Sequence, residues 1–527
     1  MILVNQIRLP LSRGQEEAVN IAVRKLGLSR GDVRYAGISK ISVDARRAAP
    51  ELVYTVAVSL HQPEKEAKFA KKGADISVVQ PQEFIFSEVA AKPEHPPVVC
   101  GLGPAGLFAG LVLARAGLCP IVLERGPSIE QRTQSVRRFE AEGVLDENAN
   151  IQFGEGGAGT FSDGKLTTRI KDPLCAFVTQ TLLQHGAPAE IAVRQKPHIG
   201  TDLLRGVITS IREEMIRLGA KVYFNTQMTG IVTRGGAICA VRTSQGEIPC
   251  EQLVLAVGHS ARDTFLMLRE NGMMLTPKPF SVGFRAEHLQ EKIEQSLYHE
   301  AAGHPALPRG EYQLSHHVGK RCVYSFCMCP GGQVVAAASE AGGVVTNGMS
   351  LHARDGKNAN AAVAVSVSPD DFGNDALRAM EFQRTLEQKA FAAGGGGYAA
   401  PAENVQSFLK GEGKLTLTSV QPTYPRGVTA ASLGALLPDE LAETLRTGLA
   451  AFERKLRGYT APEAVLTGLE TRTSGPIRLA RGEDFVSKDV SGLYPCGEGA
   501  GYAGGIMSAA VDGVRVASAV LNAVEKI

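Results

Sequence analysis

The sequence lacks a dominant charge: 56 Lys+Arg stand against 54 Asp+Glu, a formal net charge of +2 over 527 residues. That near-balance argues against a face or tail built chiefly to hold nucleic acid or an anionic membrane. A disulfide framework is also missing. The nine cysteines, an odd number, are scattered at 100, 119, 175, 239, 250, 322, 327, 329 and 496, which reads as a reducing compartment. The start, MILVNQIRLPLSRG, has no apolar h-region or cleavage site, so no signal peptide is expected and the chain is assigned to the cytoplasm. Cysteines and histidines do not fall in zinc spacing, so no metal is expected. Neither a Ser–His–acid arrangement, a GxSxG motif nor an internal repeat occurs. One apolar stretch, residues 98–123, is long enough to span a bilayer, but Arg115 and its glycine punctuation fit strand–turn–helix–strand.

What is present describes a soluble globular chain, 44% apolar and 21% charged, with room for two to four domains at ~100–200 residues each. Glycine is in excess, 58 residues where ~7% average usage gives about 37, as close backbone approach to large phosphorylated ligands requires. Residues 1–80 read βαββαβ, the order of a ferredoxin-like domain. There Arg34, Lys40, Arg46 and Arg47 form either a basic patch or a strand edge protected by charge. Residues 81–97, with prolines at 81, 93, 96 and 97, read as a linker. From 98 the pattern is α/β, and broken strands and two late helices fill 271–464. The α/β character returns at 465–527. A Rossmann-like nucleotide-binding domain (98–270 and 465–527), interrupted by an α+β substrate or cap domain, explains this order.

VVCGLGPAGLFAGLVLARAGLCPIVLERG carries the strongest signal. Gly101, Gly103 and Gly106 form GxGxxG straight after an apolar strand and straight before a helix. Gly101 permits the tight turn, Gly103 lets backbone approach a pyrophosphate, and Gly106 lets helix pack on strand. The helix start at Pro104 and Ala105 offers free N–H groups to the phosphates. Glu124 ends the next strand, where a carboxylate can accept both ribose hydroxyls, so FAD or NAD is preferred over NADP. Arg125 and Arg132 follow the turn; Arg132 either reaches the pyrophosphate or forms a surface salt bridge. No second strand–GxGxxG–helix unit occurs, which argues against a separate NADH domain.

Three further segments favour FAD: NIQFGEGGAGTFSDGKLTTR (150–169), ETRTSGPIR (470–478) and GLYPCGEGAGYAGGIMSAAVDG (492–513). With these the chain resembles the glutathione-reductase-type flavoprotein superfamily, in its branch of uncharacterised NAD(P)/FAD-dependent oxidoreductases, over nearly its whole length. The resemblance implies that Gly497 and Glu498 address a ribityl hydroxyl of FAD; most relatives place Asp there, so Glu departs from the commonest pattern. The helix from Gly505, Ile506 and Met507 is then expected to face the flavin N1–C2=O edge, its positive end favouring reduction. The loop Gly156, Gly157, Ala158, Gly159 and Thr160 is expected beside the flavin ring. By the same resemblance Gly258 passes close to the dinucleotide and Met228 lies near the adenine.

Candidate catalytic residues are Lys165, Arg285 and Arg472. Lys165 either holds the flavin or a substrate anion, or is a solvated lysine. Arg285 and His288 start the inserted domain, and Glu470, Arg472, Ser474 and Arg478 lie on its return crossing. An Arg pair there suggests an anionic substrate, although structural salt bridges leave the same residues. Tyr312, Tyr324 and Tyr502 are unranked proton donors, His316–His317 reads as a polar strand end, and Cys327 and Cys329 are either redox-active or buried thiols. The expected function is hydride transfer between a small-molecule substrate, or a transiently docked NAD(P)H, and flavin N5. A flavin-dependent monooxygenase, or a non-enzymatic flavin-holding module with an RNA- or protein-binding N-terminal domain, stays open. Near-neutral charge and the lack of an RNP-type aromatic motif count against nucleic acid. No membrane partner is expected, and the oligomeric state is not set.

Overall fold

Alternation of apolar residues builds the first sheet: Ile2, Val4, Ile7 and Leu9 of strand Ile2–Pro10 are buried, the helix Gln15–Leu26 covers them with Ala18, Ala22 and Leu26, and a bulge separates Val4 from Ile7. The computed structural model describes residues 1–525 except 48, 72, 81–83, 85, 87, 90 and 91. In this first sheet the strand order is Val33–Asp44, Glu51–Leu60, Ile2–Pro10, Ile76–Val78, antiparallel throughout. The expected second helix is the 3-10 helix Pro63–Lys71. Strand Val33–Asp44 is the outer edge, and residues 193–195 cover part of it: Ile41 donates to the Val193 carbonyl at 2.7 Å and accepts from Gln195 at 2.9 Å. Of the four basic residues here, all exposed, Arg46 is paired to Asp44, its Nε 2.8 Å from Oδ1.

Seven residues of the expected linker 81–97 lie outside the described residues. Its described part is packed: Phe84 and Phe86 meet Phe177 at ring distances of 5.7 and 5.2 Å, and Val89 is buried in the same cluster. Apolar side chains outweigh the prolines in deciding whether such a segment hangs free.

Beyond it a five-stranded parallel sheet runs in the order Leu493–Pro495, Leu253–Leu255, Val98–Cys100, Ile121–Leu123, Lys221–Tyr223. Four of its strands are short, largely buried apolar runs because helices cover them, and the edge strand Lys221–Tyr223 is mostly exposed. Helix Thr201–Arg217 buries Leu204, Val207, Ile208, Ile211 and Met215 at helical spacing. Helix Ile506–Val524 is long and apolar enough to cross a membrane by length and composition, but its window is 61% buried within the protein. It lies against helix Pro104–Arg115, where a Cβ at Gly513 would meet the Ala105 carbonyl at 2.1 Å.

The inserted region folds on a seven-stranded sheet: Ser315–Val318, Arg321–Cys329, Asn358–Val367, Phe280–Leu289, Val465–Glu470, Ala400–Asn404, Val428–Ala430. This corrects the expected boundary at 464/465. Strand Val465–Glu470 pairs with Phe280–Leu289 and Ala400–Asn404, so residues 465–470 belong to this sheet.

Candidate cofactor cavity

Local backbone chemistry sets the first wall. Gly101 follows strand Val98–Cys100 with φ +99°, and a Cβ on it would strike the Ala256 carbonyl at 2.3 Å. A Cβ on Gly106 would meet the Gly101 carbonyl at 1.8 Å, so helix Pro104–Arg115 can close on the strand only with glycine there. Gly103 is different: its Cβ would meet only Gly157 Cα, at 3.8 Å, and the space before it is open.

The loop 150–169 is pinned to this turn, since Gly156 N–H donates to the Leu102 carbonyl at 2.8 Å. A Cβ on Gly157 would lie 2.9 Å from Gly103 Cα, and one on Gly159 would lie 3.1 Å from Ile506 Cγ1. Three glycine segments about 50 to 400 residues apart in the chain therefore meet, and they border one cavity of about 1300 Å³. That exceeds the ~300–1,000 Å³ of drug-sized ligand sites and suits a dinucleotide.

Of the expected cofactor residues, Gly101, Gly103, Pro104, Ala105, Glu124 and Arg125 line the cavity. So do Gly157, Ala158, Gly159, Met228 and Gly258, and on the far side Glu498, Gly505 and Ile506. Glu124 is 5% exposed, and its carboxylate already accepts from the backbone N–H of Leu102 (2.9 Å), Gly126 (3.0 Å) and Gly154 (3.1 Å). A carboxylate has about four lone-pair sites. One remains, so the expectation that Glu124 accepts both ribose hydroxyls is corrected to about one. Arg125 is ion-paired to Asp263 and stacks on Phe153 at 4.4 Å.

Arg132 is the largest correction. It does not line the cavity and is wholly buried, donating to the carbonyls of Asn150, Ile151, Gly154 and Glu155 at 2.6–3.2 Å. Its guanidinium shapes the loop 150–156 and is neither a pyrophosphate ligand nor a surface ion pair. Burial brings its pKa down to about 9. Gly106, Gly156, Thr160, Gly497 and Met507 are also outside the lining. Thr160 donates to the Glu155 carbonyl at 3.0 Å, and Gly497 N–H donates to Asp512 at 2.7 Å, so these hold turns in shape.

The two candidate arginines each have an internal carboxylate. Arg285 is fully buried and absent from the cavity wall; it grips Glu470 with Nε and Nη2, and Nη1 donates to the Cys327 carbonyl at 2.9 Å. Arg472 reaches the wall, but shares Glu387 with Arg262: Nε and Nη2 of Arg472 stand 3.1 and 3.0 Å from the carboxylate, and Arg262 Nη1 and Nη2 stand 2.9 and 2.8 Å from it. Burial alone pushes Glu387 up, yet Arg472 and Arg262 outweigh it and hold the carboxyl far below the usual range. Both guanidiniums are thus held by carboxylates of the protein itself, Arg285 by Glu470 and Arg472 by Glu387.

Lys165 does line the cavity. It pairs with Asp163, and its Nζ stands 3.9 Å from Cys329 Sγ. Against the desolvation of its own burial, Cys329 and Asp163 keep its ammonium charged, and Asp163 lies at about 2 through Lys165 and Arg354. Tyr312, Tyr324 and Tyr502 all reach the wall; Tyr324 donates to Ser281 Oγ at 2.7 Å. His316–His317 lies on strand Ser315–Val318, and His288 is buried, bonded to the Tyr459 carbonyl at 2.7 Å.

Sequence reasoning missed His259 and Lys278, both on the wall beside Glu498. His259 Nδ1 stands 3.9 Å from Glu498 Oε1, and Nε2 has no hydrogen-bond partner among the described residues. Burial, with Arg472 and Arg262, takes His259 down to about 3. Burial pushes Glu498 up to about 7, opposed by Lys278 and the Gly505 N–H. His259 sits directly after the LVLAVG segment, a signal that was present; nothing around Lys278 marks it. Among the described residues one group with metal-ligand spacing, Glu94, His95 and Glu251, lies near the surface, and none of the three lines the cavity.

Residues 279–473 match the family model described as FAD-dependent protein, C-terminal domain-like. A protein of Clostridium beijerinckii (strain ATCC 51743 / NCIMB 8052), described as uncharacterized, is 46% identical over 530 residues, covering 99% of this chain and 98% of that one. Among solved structures, the flavin-dependent brominase Bmp2 is 11% identical with a TM-score of 0.39, covering 82% of this chain and 79% of that one. L-proline dehydrogenase from P. horikoshii is 13% identical with a TM-score of 0.32, covering 82% and 95%. At those scores the two likenesses decide nothing about activity. The full-length relative decides the family: the chain belongs to one family with the Clostridium beijerinckii protein, its residues 279–473 match the FAD-dependent C-terminal domain, and FAD is its cofactor.

Proposed function

We propose that the protein is an FAD-dependent oxidoreductase, a dehydrogenase or reductase working on a small molecule or on transiently docked NAD(P)H. In this reading a Rossmann-like FAD-binding unit, 98–270 with 471–527, is interrupted by a cap and preceded by a ferredoxin-like domain. The observation that carries it is the meeting of the turns at Gly103, Gly157–Gly159 and Gly505–Ile506 on one cavity. Bound FAD supplies the two-electron chemistry, and the chain supplies orientation and electrostatics. The first turn of the helix after Pro104 offers the Ala105 N–H to the pyrophosphate, and Glu124 takes a ribose hydroxyl. The N-terminus of helix Ile506–Val524 stabilises negative charge beside it. Glu498, with its carboxyl near 7, populates both protonation states at neutral pH and holds a proton at that carboxyl for exchange. An anionic substrate finds Lys165, Arg169 and Lys278 on the wall, in place of the arginine pair.

The protein as purified is expected to be yellow and to release FAD on denaturation. Anaerobic addition of NADH, NADPH or members of a carboxylate metabolite panel is expected to bleach it. A bound flavin that no reductant reaches overturns the oxidoreductase reading while leaving FAD binding intact. Oxygen uptake coupled to substrate hydroxylation replaces it with a monooxygenase.

A further inference from the structure

We propose that Cys327 and Cys329 are a redox-active thiol pair in the wall of the FAD cavity, exchanging with small disulfides. The pair sits on a bulge. Strand Arg321–Cys329 runs in register with Asn358–Val367 as far as Phe326↔Ala362 and resumes at Cys329↔Asn360. Cys327 and Met328 therefore stand against Ala361 alone, a two-to-one insertion of the kind that re-aims side chains next to active sites. Cys327 also adopts φ +44°, a left-handed conformation uncommon in any residue but glycine.

Cα atoms two residues apart lie at most ~6.6–6.8 Å from each other even in fully extended backbone. That is within the ~4.4–6.8 Å that a disulfide spans, and a bulge shortens it. The two thiols have different environments. Cys327 lines the cavity, whereas Cys329 is fully buried with Sγ 3.3 Å from the Cys327 carbonyl. Positive charge converges on both: Lys165 Nζ is 3.9 Å from Cys329 Sγ, and Arg285 Nη1 donates to the Cys327 carbonyl. Asp163 and Glu470 pair with these two cations, and a cavity-lining thiol flanked by such ammonium and guanidinium groups has the surroundings of a reactive thiol. The Cys329 thiol, then Lys165 and Arg285, pull Cys327 well below the ordinary cysteine range, and Cys329 is pushed up in turn. Cys100 and Cys250, by contrast, are pushed up to about 12 by burial with no cation beside them strong enough to offset it.

The chemistry balances with a low-molecular-weight disulfide as oxidant. The Cys327 thiolate attacks one sulfur of RS–SR, that S–S bond breaks, and RS⁻ leaves. Cys329, losing its proton to solvent, attacks Cys327 Sγ and expels the second RS⁻. RS–SR takes up two electrons and leaves as two RS⁻, which solvent protonates, and the thiolate–thiol pair is oxidised to the Cys327–Cys329 disulfide with the loss of two electrons and the one proton of Cys329. None of this depends on the substrate of the flavin.

The test uses holoprotein, reduced, desalted and equilibrated anaerobically across ratios of glutathione disulfide to glutathione. Acid quenching, alkylation with N-ethylmaleimide and peptide mass spectrometry then read each cysteine. The expected result is that Cys327 and Cys329 lose their labels together, linked within one peptide and reversibly with the ratio, while Cys322 in that peptide stays labelled. Cys329→Ser should stop at one glutathione on Cys327, and Cys327→Ser should leave Cys329 labelled. Native alkylation of Cys327 should outpace that of half-exposed Cys119 by ~10-fold or more. Full labelling of both residues at every ratio, or oxidation shared equally with Cys322 and without linkage, overturns the proposal. Should either variant fail to fold, the linkage in the wild-type peptide decides alone.

Discussion

Replacing Glu498 by Gln gives a stability change whose sign follows from the cavity. The carboxyl of Glu498 is pushed by burial from 4.5 to about 7, with Lys278 and the Gly505 N–H opposing. A folded-state value above the unfolded one means that the fold favours the protonated acid. The contribution of Glu498 to stability is then fully present below about pH 4.5 and is lost as pH rises through 7. A gap of about 2.5 pH units at 1.36 kcal/mol each is about 3 kcal/mol. The side chain is 22% exposed onto the cavity, and water there screens part of that, so ~1–3 kcal/mol is the working range. Gln has no proton to lose. Urea unfolding of FAD-free protein should therefore show the two forms diverging from about pH 5 upward, with Glu498→Gln the more stable by that amount at pH 8. Parallel profiles, or a wild type that gains on the variant as pH rises, refute the reasoning.

The two central glycines should fail differently. Gly103→Leu adds a side chain to open space, so the protein should melt within a few degrees of wild type yet take up no FAD, whereas Gly106→Ala drives a Cβ into the Gly101 carbonyl and should lose soluble, folded protein; flavin occupancy after gel filtration separates them, and normal occupancy in Gly103→Leu sinks the placement of the pyrophosphate. Arg132→Met strips donors from four carbonyls of the loop 150–156 and should cost about 3 kcal/mol in urea unfolding, with at least ~10-fold weaker FAD binding although Arg132 does not reach the cavity. Unchanged FAD affinity shows that the loop holds without it. Glu387→Gln leaves Arg262 and Arg472 buried without their shared charge and should cost about 3–5 kcal/mol; a loss below about 1 kcal/mol by chemical denaturation counts against that network.

Local conformation was written plainly in the chain. Gly101, Gly103 and Gly106 marked a strand–turn–helix, and the contact of Gly106 with the Gly101 carbonyl is local, whereas the Ala256 carbonyl that Gly101 must clear lies far along the chain. The helix expected from Gly505 stands at Ile506–Val524, directly after that glycine. The approach of Gly157 to Gly103 and of Gly159 to Ile506 was not legible, because glycine permits close contact without naming the partner.

Charge was not legible in the same way. Arg132, Arg285 and Arg472 read as cofactor or substrate ligands because an arginine near a binding motif has several possible anions and the chain does not say which one it meets. Folding brought Glu470 to Arg285 across 185 residues and Glu387 to Arg472 across 85, and spent Arg132 on backbone carbonyls. Strand Val465–Glu470 likewise joined the inserted sheet through partners at 280–289 and 400–404. The sequence by itself thus determined the strand–turn–helix at Gly101–Gly106, since a tight turn and the helix after it are written in consecutive residues. Which side chains remain free to act on a substrate was decided only in three dimensions, because an ion pair depends on distances that no short stretch of chain contains.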